Sequence, residues 1–403
     1  MTARATAAPQ RASQPGLRER MSGFGEAHRS ISVIVGMTAV SVGLYLLAYV
    51  PPLSLFQPQK VWIDGFSNAG VFVLLALGLN IVVGLAGLLD LGYAAFFAFG
   101  AYAYAFGASP FSGQHVPFIL MLFVGAIVAA TFGVILGAPT LRLRGDYLAI
   151  VTLGFGEIVP ILFLNLERYT QGTNGIGGVY KPSVLGYEFP LLNPVPFYIL
   201  MVVIITIVMI LIYRLQDSRL GRAWMAIRED ELAAAASGIN TVTTKLLAFG
   251  LGASTAGLAG VFNAAKLTVV SPDQFLFTVS FTVLAMVVLG GMGNIWGVAV
   301  GAFIVNQIQT VFLKELNAFF DNFPVPILSD INFTEYQFLL YGLALVGMML
   351  LRPEGLFPSK RRRQELHAAE ELGVEDAEAE IVGALGETPG AEETFGEESG
   401  QSR

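Results

Sequence analysis

Apolar runs of bilayer length recur along most of the chain. An α-helix needs about 20 predominantly apolar residues to cross a membrane, and ten runs come near that length. By number they are 31–50, 66–88, 91–108, 117–138, 147–165, 197–213, 246–265, 276–292, 296–313 and 335–351. The second and third runs are divided only by Leu89 and Asp90. The pattern predicts an all-α integral membrane protein with about ten transmembrane helices.

The composition is typical of a membrane protein and excludes several kinds of functional site. Of the 403 residues, 54% are hydrophobic and 13% are charged, against about 25% charged in soluble domains. The lack of Cys excludes disulfides, thiolate metal sites and Cys nucleophiles, and the three His residues lie outside the apolar runs. We therefore expect no metal site, no cofactor and no catalytic residue on this chain.

The distribution of charge predicts the topology and the domains. Basic residues are enriched on the cytoplasmic side of membrane helices. Ten crossings from a cytoplasmic N-terminus place 18 of the 23 basic residues inside, so both termini are expected to be cytoplasmic. Residues 1–30 then form a cytoplasmic arm and residues 31–358 the transmembrane domain. Residues 359–403 form a basic cluster and an acidic tail that we expect to be disordered.

A charged segment, residues 214–245, separates the first six runs from the last four. Its four Arg residues and the acidic triplet 229–231 exclude it from lipid. Leu220, Trp224 and Ile227 recur at helical spacing, which predicts a short amphipathic helix with a basic opposite face.

A second short helix is predicted directly after the first. Asp230 and Glu231 supply the negative charge favoured in a first helical turn, and the Ala residues at 233–236 extend the helix. Gly238 can end it in the left-handed conformation. We interpret the two helices as the part of the chain through which a separate protein moves the membrane domain.

Polar residues within apolar runs are costly in lipid and are therefore candidates for a transport pathway. Glu157 lies in the middle of the fifth run, near Pro160, where a helix can bend and free backbone groups. It either lines the pathway or makes a structural hydrogen bond between helices. Asn80 and Asp90 are further candidates, for which the structural alternative also stands.

A glycine-rich loop follows the fifth run. Four Gly residues within 172–178 indicate a compact turn or a re-entrant segment near the outer mouth, to which Thr173 and Asn174 belong. No G-x-x-x-x-G-K-[ST] pattern occurs in the chain, so a phosphate-binding loop is not expected.

Small residues recur every four positions in two later runs, a spacing that lets helix backbones approach closely in lipid. The two sets are Gly252, Ala256 and Gly260, and Gly293, Gly297 and Gly301. They predict a tightly packed helical bundle.

Several long motifs in order resemble one known family. They are GRAWMAIREDELAAAASGIN in the charged segment, GLNIVVGLAGLLDLG at 78–92, LRLRGDYLAIVTLGFGEI at 141–158, VVLGGMGNIWG at 287–297 and LRPEGLF at 351–357. Together they resemble the permease subunits of branched-chain amino acid ABC importers, of the LivM type, over about residues 31–358. The resemblance implies an ABC importer permease bundle in the bacterial inner membrane.

The same resemblance implies a set of partners. These are a second related permease chain, two cytosolic ABC ATPases that hold ATP and Mg²⁺, and an extracytoplasmic solute-binding protein, with no nucleic acid. Residues 214–245 would be the coupling loop that docks into a cleft on the ATPase. Glu231, Ala234 and Gly238 match the family's E-A-A…G signature, with Leu232 in place of an Ala. The expected coupling residues are Arg222, Arg228, Glu229, Glu231, Ala234 and Gly238.

The implied cargo is a branched-chain, aliphatic amino acid, and two alternatives stay open. A similar permease branch moves urea or short amides, which composition does not separate from amino acids. An ion-coupled secondary transporter would need no ATPase and could use Glu157 as its proton site, although the charged segment argues against it. An intramembrane enzyme would need a cluster of His, Asp or Ser that the runs do not supply.

Overall fold

A computed structural model describes residues 29–49, 58–140, 146–184, 186–190, 192–322, 335–352 and 355–357. Fourteen α-helices lie in these ranges: α1 Arg29–Leu47, α2 Gln59–Leu79, α3 Ala94–Gly107, α4 Phe118–Thr140, α5 Asp146–Asn165, α6 Glu167–Thr170, α7 Val195–Gln216, α8 Arg219–Glu229, α9 Glu231–Ala236, α10 Thr241–Leu267, α11 Phe277–Gly290, α12 Ile295–Gln307, α13 Leu313–Asn322 and α14 Gln337–Leu351. Most of residues 1–30, the Arg142 and Arg144 loop and the predicted C-terminal tail lie outside the described residues.

Shorter elements complete the described chain. Asn80–Leu85 and Ile308–Phe312 are π-helical and continue α2 and α12, and Gly172–Asn174 and Pro272–Phe275 are 3₁₀ turns. Six two-residue strands form three antiparallel pairs: β1 Ala108–Ser109 with β2 Gln114–His115, β3 Ile176–Gly177 with β6 Val269–Val270, and β4 Ser183–Val184 with β5 Tyr187–Glu188.

Each of the ten apolar runs contains an apolar helix, and the all-α class is confirmed. Eight helices of the described chain are long enough to cross a membrane, and two apolar helices are shorter, Ala94–Gly107 and Gln337–Met348. At 1.5 Å per residue the 14 residues of α3 span about 21 Å, less than the 30 Å of a hydrocarbon core. The third run is therefore not helical throughout.

A connector, residues 86–93, joins the end of α2 to α3 and explains why α3 is shorter than the third apolar run. Gly87 has a φ of +71°, and the amide of Gly92 donates to the Asp90 carboxylate at 2.9 Å. This local hydrogen bond stabilises a turn instead of a helix. The connector shortens the helix that the apolar pattern alone would extend.

α2 occupies the centre of the bundle and packs against α7, α10, α11 and α12. Its central residues are buried on all sides, as expected for a helix that is apolar all round.

The small residues predicted to allow close packing do so in α10. A side chain at Gly260 would overlap the backbone of α3 at Phe97, and Ala256 is fully buried. In the second set, Gly297 and Gly301 pack against Gly290. The expectation for Gly293 was wrong, since it lies in the turn between α11 and α12 with a φ of +83°.

The two ends of the bundle carry different features. At one end Arg228 contacts Gly84, and the amide of Gly293 donates to Asn80 Oδ1 at 2.8 Å. At the other end β3 pairs with β6, and the amide of Tyr180 donates to the carbonyl of Ala108 at 2.8 Å. Arg228 thus places the charged segment at one end of the bundle.

A bulky side chain at Gly100 of α3 is expected to destabilise the bundle. Its Cβ would overlap the backbone of Gly257 on α10, and overpacking of this kind typically costs about 1–3 kcal/mol. Gly100→Leu should therefore lower the unfolding temperature of the purified protein in detergent. Gly342→Leu on α14 is the matched control, because nothing lies within 4 Å of its added Cβ; equal unfolding temperatures for the two variants would contradict the packing.

Candidate coupling surface and pathway residues

The first helix of the charged segment is amphipathic, as its sequence predicts. Ser218 caps α8 by accepting a hydrogen bond from the amide of Gly221 at 3.2 Å. Trp224 is fully buried, and its indole Nε1 donates to the carbonyl of Thr244 at 2.6 Å. Ile227 is buried beside it on the same face. The apolar face of α8 is therefore covered by the rest of the chain, at the start of α10.

Arg228 fastens α8 to the end of α2. Its Nη1 donates to the carbonyl of Gly84 at 2.5 Å. Its side-chain stem lies against Gly87, where an added Cβ would be 2.7 Å from Arg228 Cγ. Both contacts fall at the π-helical end of α2 and the start of the connector. Arg228 is thus an internal contact of the chain as well as part of the charged segment.

The second helix, α9, ends as predicted, whereas Asp230, predicted in its first turn, is the residue that caps it. The Asp230 carboxylate caps it by accepting from the amides of Leu232 at 2.7 Å and Ala233 at 3.0 Å. Gly238 has a φ of +84°, and the amides of Gly238 and Ile239 donate back to the carbonyls of Ala235 and Ala234. This is a left-handed helix end of the kind that favours Gly.

One ion pair ties α9 to α10. Lys245 Nζ lies 2.6 Å from Glu231 Oε1, and Lys245 is buried at the start of α10. Ala234 is buried as well. Glu231 and Ala234 of the family signature therefore face the bundle.

The solvent-exposed side of the segment carries the other expected coupling residues. Arg222, Glu229 and Gly238 are exposed, and Arg222 also donates to the carbonyl of Asp217 at 2.8 Å. Leu232 is 68% exposed, the most exposed large apolar side chain described in this segment. Sequence reasoning treated it only as a departure from the signature, and its exposure leaves it available to a partner.

The structure places Asn80 and Asp90 inside the protein near the same end. Asn80 begins the π-helical segment, and its Oδ1 accepts from the Gly293 amide while its Nδ2 has no partner among the described residues. Asp90 is buried in the connector, with Oδ2 unpartnered among the described residues.

The connector also holds α5. The amide of Leu91 donates to Thr152 Oγ1 at 3.1 Å. A side chain at Gly92 would overlap the Thr152 carbonyl, and one at Gly156 would lie 2.9 Å from the Gly92 Cα. The backbone of α5 therefore rests directly on the connector.

Glu157 lies on the other side of α5 and is exposed at the surface of the bundle. Thr173 and Asn174 are exposed in the 3₁₀ turn at the opposite end from the charged segment. The five predicted pathway residues are thus divided among an internal turn, an exposed helix face and an end loop.

A polar cluster that sequence reasoning did not assign joins α2 to α10 at the end of the bundle opposite the charged segment. Lys266 Nζ lies 2.8 Å from Asp64 Oδ1 and donates to Asn68 Oδ1 at 2.7 Å. Asn68 Nδ2 donates to Asp64 Oδ2 at 3.2 Å. The i, i+4 spacing of Asp64 and Asn68 was the available signal, since such residues share a helix face.

These features define a polytopic membrane permease chain: a bundle of apolar helices with buried polar residues and one charged, docked pair of helices at its end. The model of the family described as branched-chain amino acid transport system, permease component, matches residues 62–350. The chain belongs to this family, and it is a multi-pass protein of the inner membrane.

Curated relatives agree with the family. The chain is 39% identical over 346 residues to the high-affinity branched-chain amino acid transport system permease protein LivM of Escherichia coli (strain K12), covering 81% of this chain and 76% of the relative. It is 24% identical to LivH of the same organism over 73% and 93%. The ribose import permease protein RbsC of Haemophilus influenzae is 23% identical over 68% and 85%. No solved structure matches the chain significantly.

The Glu231–Lys245 pair supplies a stability test. Glu231→Gln leaves the buried Lys245 ammonium without its carboxylate, and an unsatisfied buried group costs about 1–3 kcal/mol. The unfolding temperature should fall. The double variant Glu231→Gln with Lys245→Met removes both charges and should recover part of the loss. A double variant no more stable than Glu231→Gln alone would contradict the pairing.

Proposed function

We propose that this chain is a permease subunit of an ATP-driven ABC importer for branched-chain, aliphatic amino acids. The observation that supports this most directly is the docked pair of helices α8 and α9. One side is bound to the bundle by Trp224, Arg228 and Glu231, and the other side exposes Leu232. A loop that is fixed to the bundle and open to a partner is suited to transmit force.

The contacts of the coupling loop give a route for that force. An ATPase that binds α9 would displace α8 with it, because Asp230 joins the two helices and caps the second. Arg228 then transmits the displacement to Gly84 and Gly87. The connector passes it to α5 through its contacts with Thr152 and Gly156. Each step of the proposed route follows a direct contact between neighbouring elements of the chain.

In this proposal the partners supply energy and selectivity. Two cytosolic ATPases hold ATP and Mg²⁺, and an extracytoplasmic binding protein delivers the cargo. The second permease is a related chain. Arg222, Arg228, Glu229, Glu231, Ala234 and Gly238 form or support the coupling surface. Asn80, Asp90, Glu157, Thr173 and Asn174 are the candidates for the pathway.

An acidic side chain at the exposed tip of α9 is expected to uncouple transport from ATP. Leu232→Asp replaces apolar docking surface with a charge and should reduce ATP-driven leucine uptake more than tenfold in proteoliposomes carrying the full assembly. Leu192→Asp, at an exposed leucine outside this segment, is the control and should transport normally. Normal uptake by Leu232→Asp, with equal protein in the membrane, would remove the coupling role.

The cargo is tested in the same proteoliposomes. Labelled leucine should accumulate against its gradient only with ATP, and an excess of unlabelled isoleucine or valine should compete while urea does not. If urea is taken up with ATP and leucine does not reduce that uptake, the amino acid cargo is contradicted and the short-amide alternative is favoured. Uphill leucine uptake under an ion gradient without ATPase would favour the secondary transporter.

A further inference from the structure

A cavity of about 240 Å³ lies among α1, α2, α7 and α12, four helices that belong to spans of membrane length. Each helix lines the cavity over one short stretch, at residues 37–44, 66–73, 198–205 and 296–303. At 1.5 Å per residue these stretches are about 11 Å long. The side chains that line the cavity are predominantly apolar, and none of them is charged.

Aromatic side chains close the two ends of the cavity. At one end a Cβ added at Gly36 of α1 would lie 3.0 Å from the Trp296 ring of α12. At the other end the ring of Phe66 packs against those of Tyr198 and Phe303, with centroids 6.3 Å and 5.7 Å apart. The space between the two ends is left unfilled by the described residues.

Of the four helices, α1 is packed most loosely against the bundle. It contacts mainly α7, and 6% of its span is buried, against 89% of the span that contains α2. The hydroxyl of Tyr198 donates to the carbonyl of Ser41 at 2.8 Å, which fixes α1 to α7. The cavity separates the same part of α1 from α2 and α12.

The cavity opens to one side, between α1 and α12. Val40 and Val300 line it and are 47% and 36% exposed, whereas its other lining residues are buried or half-buried. Both valines lie within spans of membrane length. The opening therefore faces the hydrocarbon of the bilayer.

The chemistry of the lining excludes polar occupants. A water molecule in a cavity needs two to four polar partners, and an apolar cavity of about 150 Å³ stays dry and binds apolar molecules instead. The hydroxyls of Ser41 and Tyr198 already donate to backbone carbonyls. An amino acid zwitterion would bury both of its charges unpaired here, so the cavity is not a cargo site.

The size of the cavity excludes a helix of another protein. An α-helix is at least about 10 Å wide, so a segment 11 Å long occupies roughly 800 Å³. An acyl chain is much thinner, has no polar group to satisfy, and is the main component of the membrane at this depth. It can enter a narrow apolar cavity from the side.

We propose that this cavity binds an acyl chain of a membrane phospholipid, which enters between α1 and α12 and packs α1 onto the bundle. The chain supplies the van der Waals contacts that the lining of an empty cavity would lack. The site is separate from the coupling surface and from the candidate pathway residues, and it needs neither ATP nor cargo.

Photolabelling tests the site in proteoliposomes that carry the co-purified assembly. The probe is phosphatidylethanolamine with a photoreactive diazirine within one acyl chain. Met201 lines the cavity and is 1% exposed, whereas Val203 on the same helix is 48% exposed. We expect label on both residues, because Val203 meets the surrounding lipid and Met201 is reached only by a chain inside the cavity.

A filling variant makes the test specific. Ala299→Phe places a ring in the cavity and should reduce the labelling of Met201 by about tenfold, because the ring and the acyl chain compete for one space. Ile304→Phe is the matched control, since Ile304 lies on the same span, is 40% exposed and does not line the cavity. Labelling of Val203 should stay unchanged in both variants.

Two outcomes overturn the proposal. One is label on Val203 without label on Met201 in the unaltered chain, which would leave the cavity empty or filled by another part of the assembly. The other is unchanged labelling of Met201 in Ala299→Phe. The first outcome depends on no substitution, so it can be observed even if the filling variant does not fold.

A second measurement tests whether the acyl chain stabilises the protein. A ligand that binds the folded state raises the unfolding temperature. After lipid is removed in detergent, added phosphatidylethanolamine should raise this temperature for the unaltered chain and for Ile304→Phe, and less for Ala299→Phe. Glycerophosphoethanolamine, which has the headgroup without acyl chains, should have no effect. Equal rises for all three proteins, or a rise with the headgroup alone, would contradict the proposal.

Discussion

The hydrogen bond from Arg228 to the carbonyl of Gly84 is the contact on which the proposed transmission route depends. It joins a charged, water-exposed segment to the central helix of a bundle that is otherwise apolar. The stem of the same side chain packs on Gly87, so the connection combines a charge-assisted hydrogen bond with packing. Trp224 and Lys245 secure the other side of the segment.

Much of the fold follows from the apolar pattern, because every helix in lipid must satisfy its own backbone. The ten runs, the amphipathic α8 and the left-handed end at Gly238 could all be predicted from sequence. The shortening of α3 could not, since it depends on how Asp90 folds back onto Gly92. The misplacement of Gly293 has a similar origin, because a four-residue spacing cannot show that a turn interrupts it.

Less of the candidate coupling surface than of the fold could be predicted from the sequence. A helical pattern shows that Ala234 and Leu232 lie on different sides of α9, but it does not show which side meets the bundle. The contact of Arg228 joins residues 144 positions apart, and no local pattern contains it. The sequence shows that Glu157 is costly to place in lipid. It does not show that Glu157 lies on the outward face of α5, which follows from the packing of Gly156 on the connector.

The glycine contacts of α3, α4 and α10 have a mechanical consequence. A Cβ at Gly100 or Gly125 would meet atoms of α10, and one at Gly257 would meet α4, so these three helices touch backbone to backbone. Interiors packed this closely resist continuous deformation. In the proposed transport cycle, we therefore expect these three helices to move together as one unit.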